Sequence, residues 1–286
     1  MRIIDAHVHI FPEEVVQHRE RFIARDRWFA QLYAPERARL ATMDDLIESM
    51  DGAGIDISIA CGFPWIDQGL CQYHNDYLCE ASRAFPDRIA WLAIVSPTAG
   101  EVAVTSLNDA FDDGASGLGE LNADAQGFDL DDPAQLAPIL EICQVRDKPV
   151  LFHVSEPIGH DYPGKGNSTP ARILNVLHAF PALRVVAAHW GGGLPFYELM
   201  PEVQSATTQL AYDSAASTYL YNHKVFETVI GLVGAHRVLF GSDFPVLKQL
   251  PLLNKCKSRP GLSDSTLAAM LGENAVRIYL PEEKFA

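Results

Sequence analysis

Short runs of apolar, largely β-branched residues alternate with longer stretches of helical period along the chain. The runs Ile3–Ile10, Asp56–Gly62, Ile89–Val95, Gly117–Leu121, Val150–Val154, Val185–His189, Leu210–Ser214 and Val238–Gly241 read as strands. Most are continuously apolar, as parallel strands covered on both faces must be. Helical stretches separate them. Thr42–Asp51 opens with Thr42 and Asp45 in capping-box spacing and closes near Gly52 and Gly54. Asn75–Phe85 stops before Pro86, and Asp132–Val145 carries Pro133 just inside its start. Pro170–Phe180 stops at Pro181, His223–Val233 precedes the last strand, and Asp264–Leu271 and Glu273–Tyr279 close the series.

This alternation, without a break in composition, predicts one α/β domain over residues 1–286, a (β/α)8 TIM barrel rather than a doubly wound sheet. The length of 286 residues suits such a barrel, which needs about 250. No G-x-G-x-x-G or P-loop follows a strand. Two connections exceed what packing requires: Phe11–Ala41 after the first strand, with a helix expected within Glu20–Leu32, and Ser155–Thr169 after the fifth. Long loops on one barrel face usually cover the active site.

Composition narrows the class. With 22 Lys+Arg against 37 Asp+Glu the formal charge is −15, which argues against nucleic acid or an anionic membrane as partner. The opening MRIIDAHVHIF is too short and polar for a secretory signal, and no apolar run is long enough to span a bilayer. The five cysteines include no C-x-x-C pair and read as reduced thiols. A cytoplasmic protein is expected.

The candidate chemistry lies at the strand ends. His7 and His9 are two apart on the first strand and project to one face. His153 ends the fifth strand, His189 the sixth, and Asp243 follows the eighth. All sit at carboxyl ends of predicted parallel strands, where barrel enzymes carry their chemistry. Imidazoles with a carboxylate suit zinc or a similar divalent ion rather than calcium or magnesium. Manganese and cobalt are the alternatives, with one ion expected and two possible.

The segments DAHVHI, FHVS, AHWGG and GSDFP, in that order, resemble the amidohydrolase superfamily. The likeness is to its amidohydrolase-related (amidohydrolase-2) branch, which includes aminocarboxymuconate-semialdehyde decarboxylase and pyrone-dicarboxylate lactonase. The resemblance implies that His7, His9, His153 and Asp243 ligate the metal. It also implies that His189 ligates a second ion or serves as an acid/base group beside the substrate. Glu120, in GLGELN, stands where relatives place a bridging lysine, a glutamate or nothing; it is expected to bridge a second ion or to orient a histidine.

The expected activity is hydrolysis of a small amide or lactone by a metal-activated water, with Asp243 as general base and His189 at the substrate oxygen. The alternatives are a non-oxidative decarboxylase of an unsaturated or aromatic carboxylic acid and a non-catalytic ligand-binding barrel. Phe63 and Trp65 are expected to wall the substrate pocket, with His160 and Lys165 offering cations to it. Gly191–Gly193 lets backbone approach the site closely. The remaining histidines, His18, His74, His178, His223 and His236, read as structural. The segment Leu194–Met200 is a possible homo-oligomer interface or a helix packed on the barrel.

Overall fold

A computed structural model describes residues 1–280; the last six residues of the expected domain, 281–286, lie outside the described residues. Eight parallel strands follow one another around the sheet in chain order. They are β1 (Ile4–Val8), β2 (Ile57–Ala60), β3 (Ile89–Ala93), β4 (Gly117–Leu121), β5 (Val150–Phe152), β6 (Val185–Ala187), β7 (Leu210–Asp213) and β8 (Val238–Leu239). Every strand residue is buried, which explains the unbroken apolar runs. β8 has only two residues, and the segment beyond it completes the ring. Phe240 and Phe244 accept from the amides of Ala6 and His9 at 2.8 and 2.7 Å, and Asp243 donates its amide to the His7 carbonyl at 2.9 Å. The (β/α)8 TIM barrel expected from the sequence is the observed fold.

The helix Met43–Ala53 carries the expected capping box between Thr42 and Asp45 and ends on Gly54 in the left-handed conformation. Glu101–Asp112 was not legible as a helix. Its sequence holds Val102, Val104, Thr105, Ser106 and Asn108, all modest helix formers, and its buried stripe is built largely from Ala103, Leu107 and Ala110. Most apolar side chains pack between strands and helices. A second cluster, including Ile4, Ala6, Ile57, Ile59 and Leu92, fills the barrel and is closed by Ile278 and Tyr279 of the helix Asn274–Tyr279.

Two irregularities aim side chains into the barrel mouth. Between Asp5 and Val8, β1 advances three residues while β2 advances two. Between Leu118 and Leu121, β4 does the same against β5. An extra residue in one strand reverses which parity faces inward. Ile4 and Ala6 therefore belong to the interior cluster, yet His7 and His9 also face the enclosed side.

The AHWGGG segment leaves β6 through a run of left-handed residues from His189 to Gly193. A Cβ on Gly192, whose φ is +58°, would lie 2.5 Å from the Ser155 carbonyl oxygen. Gly192→Ala is therefore expected to cost about 2–4 kcal/mol and to lower the thermal midpoint by several degrees. An unchanged midpoint would mean that this turn does not press on the end of β5.

The insertion after β1 contains three short helices, Glu13–Gln17, Arg19–Ile23 and Arg27–Tyr33. The connection after β5 has no helix or strand between 153 and 169. All five cysteines are buried and free. Among the described residues, no helix is long and apolar enough to cross a membrane.

Candidate metal centre

His7, His9, Glu120, His153, His189 and Asp243 converge at the carboxyl ends of the strands. Two donor groups form there, His7–His9–Asp243 and Glu120–His153–His189. Each histidine has one ring nitrogen facing an oxygen outside the centre. His7 Nδ1 donates to Asp213 at 2.8 Å and His9 Nδ1 to the Cys61 carbonyl at 3.3 Å. His153 Nε2 donates to the Gly164 carbonyl at 3.1 Å and His189 Nδ1 to the Ala215 carbonyl at 3.3 Å. A carbonyl can only accept, so the hydrogen sits on that nitrogen and the other turns its lone pair inward.

His7 Nε2 and His9 Nε2 consequently face each other at 3.1 Å. Two lone pairs that close repel unless a proton or a cation lies between them. Glu120 Oε2 is 3.7 Å from His7 Nε2 and 3.4 Å from His9 Nε2, and Asp243 Oδ1 lies 3.8 and 3.6 Å from the same atoms. Ligands at about 2.0–2.2 Å from one divalent ion sit roughly 3–3.6 Å from one another. The donor set fits such an ion in type, and the separations match that span except the two from His7 to the carboxylates, which are slightly longer. Glu120 Oε1 turns the other way, 2.9 Å from His153 Nδ1 and 3.3 Å from His189 Nε2.

Without the cation those inward nitrogens can carry protons, and the cluster then favours charge on both acid and imidazoles. Burial opposes the charge on Glu120, but His153 and His7, with hydrogen bonds from His153 and His189, hold its carboxyl well below the usual range. Burial likewise opposes the charge on His7, but Asp213 and Glu120 help to hold its pKa well above the imidazole range. For His189 burial again opposes charge, and the Glu120 hydrogen bond and charge raise its pKa to about 9. In metal-stripped protein this histidine contributes stability that is complete below the free value of 6.5 and lost as pH rises through about 9. The thermal midpoint of chelator-treated protein should fall between about pH 7 and pH 9.5, and the fall should shrink in His189→Gln. An identical slope in that variant would assign the titration elsewhere.

Asp213 was missed in the sequence. It ends β7, fully buried, and ties two histidines together: Oδ2 accepts from His7, and Oδ1 accepts the His189 amide at 2.9 Å. An acid at the carboxyl end of a barrel strand was the available signal. His189 and Asp243 have φ values of 57° and 63°, a left-handed backbone that costs a non-glycine residue about 1–3 kcal/mol. Such strain persists where surrounding bonds enforce it, as the Asp213 carboxylate and the His7 carbonyl do here.

Above the centre opens a cleft of about 680 Å³, counted out into solvent, whose lining includes Trp28, Tyr33 and Phe63 as well as Tyr162 and Tyr219. Phe63 thus lines the cleft, but the other three expected substrate contacts do not. Trp65 is buried behind Phe63, 4.6 Å between ring centroids, in a cluster with Phe29. Its indole donates to His74 Nδ1 at 3.2 Å, as does the Phe63 amide at 3.1 Å. Burial holds the His74 pKa down at about 4, so the ring stays neutral and anchors the loop that carries Phe63. His160 is exposed and packs against the rings of Tyr162 and Tyr219. Lys165 turns back on its own loop, donating to the carbonyls of Ile158, Gly159 and His160 at 3.1–3.3 Å. Three loop carbonyls and the rings of Tyr162 and Tyr219 thus take up these two side chains.

The model of the amidohydrolase family (Amidohydro_2) matches residues 4–280. The chain is 24% identical over 236 residues to 2-amino-3-carboxymuconate-6-semialdehyde decarboxylase of Dictyostelium discoideum, covering 72% of this chain and 65% of that relative's length. It is 24% identical over 290 residues to gamma-resorcylate decarboxylase of Polaromonas sp. (strain JS666 / ATCC BAA-500), covering 83% and 86%. A structure of 5-carboxyvanillate decarboxylase from Novosphingobium aromaticivorans with bound manganese superimposes with a TM-score of 0.77 at 19% identity, over 96% of each chain. These relatives overturn the expectation of an amide or lactone hydrolase: both curated matches are carboxy-lyases. The ligand constellation looked hydrolytic because both chemistries use the same donors. With nearly its whole length matched and its strand-end donors in place, the chain belongs to the amidohydrolase family.

Proposed function

We propose that the protein is a metal-dependent, non-oxidative decarboxylase of a small unsaturated or aromatic carboxylic acid. The observation that carries this reading is an aromatic-walled cleft set directly over the histidine–carboxylate centre, in a chain whose curated relatives release CO2. His7, His9, Glu120 and Asp243 would hold the cation, with His153 alongside, and the mix of imidazole and carboxylate donors suits manganese or zinc. Such an ion supplies fixed positive charge that draws an anionic acid to the cleft floor.

The chain's own residues supply the rest. Phe63 and Tyr33 flank the space a planar acid occupies and exclude water from it. His189, protonated on the nitrogen that faces the centre, would stand over the same space as a donor to a substrate oxygen. Asp243 lines the cleft with one oxygen turned to the histidines; its other oxygen has no hydrogen bond within the protein. In its protonated form Asp243 would deliver a proton to the carbon bearing the carboxylate. The bond to the carboxyl carbon then breaks, its electron pair restores the unsaturated system, and CO2 departs. Solvent returns the proton to Asp243.

Protein reconstituted with manganese or zinc is expected to consume at least one hydroxybenzoate or unsaturated carboxylic acid, followed by loss of ultraviolet absorbance and by CO2 detection. Chelation should stop the reaction. Metal-replete protein that binds such acids without releasing CO2 from any would remove the reading.

A further inference from the structure

We infer that the cleft selects monocarboxylic acids whose other substituents are neutral, and discriminates against dicarboxylates. This rests on the decarboxylase reading and names its substrate class. Among the described residues, no lysine or arginine lines the cleft. Three cations of the flanking insertions have partners outside it. Lys165 caps three carbonyls of its own loop, Arg25 pairs with Asp67 at 3.6 Å, and Arg19 donates to the Tyr33 backbone carbonyl at 3.4 Å.

Charge at the centre suffices for one carboxylate. Glu120 and Asp243 already present negative charge to the cleft floor, and Asp213 stands behind them. The walls away from the floor are apolar or neutral: Trp28, Leu32, Phe63 and Val246, with the phenols of Tyr33 and Tyr219. The Tyr33 hydroxyl forms no hydrogen bond within the protein, although the residue is only 5% exposed. It is therefore free to bond a neutral hydroxyl or ether on the ligand. A second carboxylate would leave water without meeting an opposite charge, a mismatch that rejects a ligand strongly. The acidic surface, at −15 overall, repels a dianion further.

The test is calorimetric titration of manganese-loaded protein with salicylate and with 4-hydroxyisophthalate, which differ by one carboxylate, alongside CO2 detection. Salicylate is expected to bind at least about thirtyfold more tightly. Val246→Arg places a cation on a rim position that is 53% exposed and tolerates it, and Leu32→Arg places one on the opposite insertion. At least one variant should narrow the ratio about tenfold or more. Equal or tighter binding of the diacid by the unaltered protein would overturn the inference, as would an unchanged ratio in both arginine variants. CO2 release from either acid would leave the decarboxylase reading standing in those cases. A clear preference for salicylate with no CO2 from any acid would instead uphold the selectivity and remove that reading. If neither acid binds, the inference falls, and the decarboxylase reading is decided by the wider panel of acids.

Discussion

Asp243→Asn is expected to lower kcat by at least about a hundredfold while the protein still folds, binds its cation and binds the acid. Asparagine keeps an oxygen where Asp243 Oδ1 lies, 3.6–3.8 Å from the two histidine nitrogens, but it carries no transferable proton. Three readouts separate the roles. Metal content by plasma mass spectrometry reports whether the oxygen still ligates. Calorimetry with an acid reports binding, and single-turnover CO2 release reports proton transfer. Near-normal turnover in the variant would assign the proton to another group. Loss of metal together with loss of turnover would make Asp243 a ligand first.

The His7→Ala/His9→Ala double variant addresses the other half of the centre. Four-ligand sites gain about 10–16 kcal/mol from the metal, so removing two nitrogen donors is expected to lower affinity by roughly 10⁴-fold or more. The purified variant should carry almost no manganese or zinc and gain no thermal stability when either is added. Removing His7 also strands Asp213, a fully buried carboxylate held below its usual range, burial opposing and the His7 charge favouring ionisation. Breaking a buried pair costs about 3–5 kcal/mol, enough to threaten folding. His9→Ala and Asp213→Asn therefore accompany it. The first leaves the Asp213 pair intact and should still lose most of the metal. The second keeps all the inward-facing nitrogens and should weaken metal binding about 10–100-fold. Full metal content in His9→Ala would place the ion elsewhere in the cluster.

Much of this architecture was legible because barrel strands are buried on both faces and so announce themselves as apolar runs. β4 matches the sequence reading at both ends, whereas β1, β5 and β6 are each shorter than read by two or three residues that fall in the flanking connections. Strand ends in turn located His7, His9, His153, His189 and Asp243. What the residue pattern did not carry was backbone irregularity and loop return. The extra residues in β1 and β4, which turn His9 and Glu120 inward, have no signature in polarity. The left-handed turn at His189 was visible only through the glycines that follow it. Lys165 looked like a substrate cation because loop residues default to solvent; Gly159 and Gly164, at φ of 98° and 93°, let the loop fold back so that its carbonyls capture the amine. Trp65 was placed in the pocket by proximity to Phe63, whereas its indole bonds to His74 and stacks on Phe29, which hold it in the buried cluster behind Phe63. The reaction itself was the least legible element, because one donor set serves both hydrolysis and decarboxylation.

The most direct test of metal-dependent decarboxylation follows the carbon and the proton together. Manganese-loaded protein is incubated in D2O with a panel of planar carboxylic acids labelled with 13C at the carboxyl group. The account predicts that an accepted acid releases its label as 13CO2 and gains one deuterium at the carbon that carried the carboxylate, and that chelation or Asp243→Asn suppresses both. Bound acids that keep their label, or label lost without deuterium at that carbon, would contradict it.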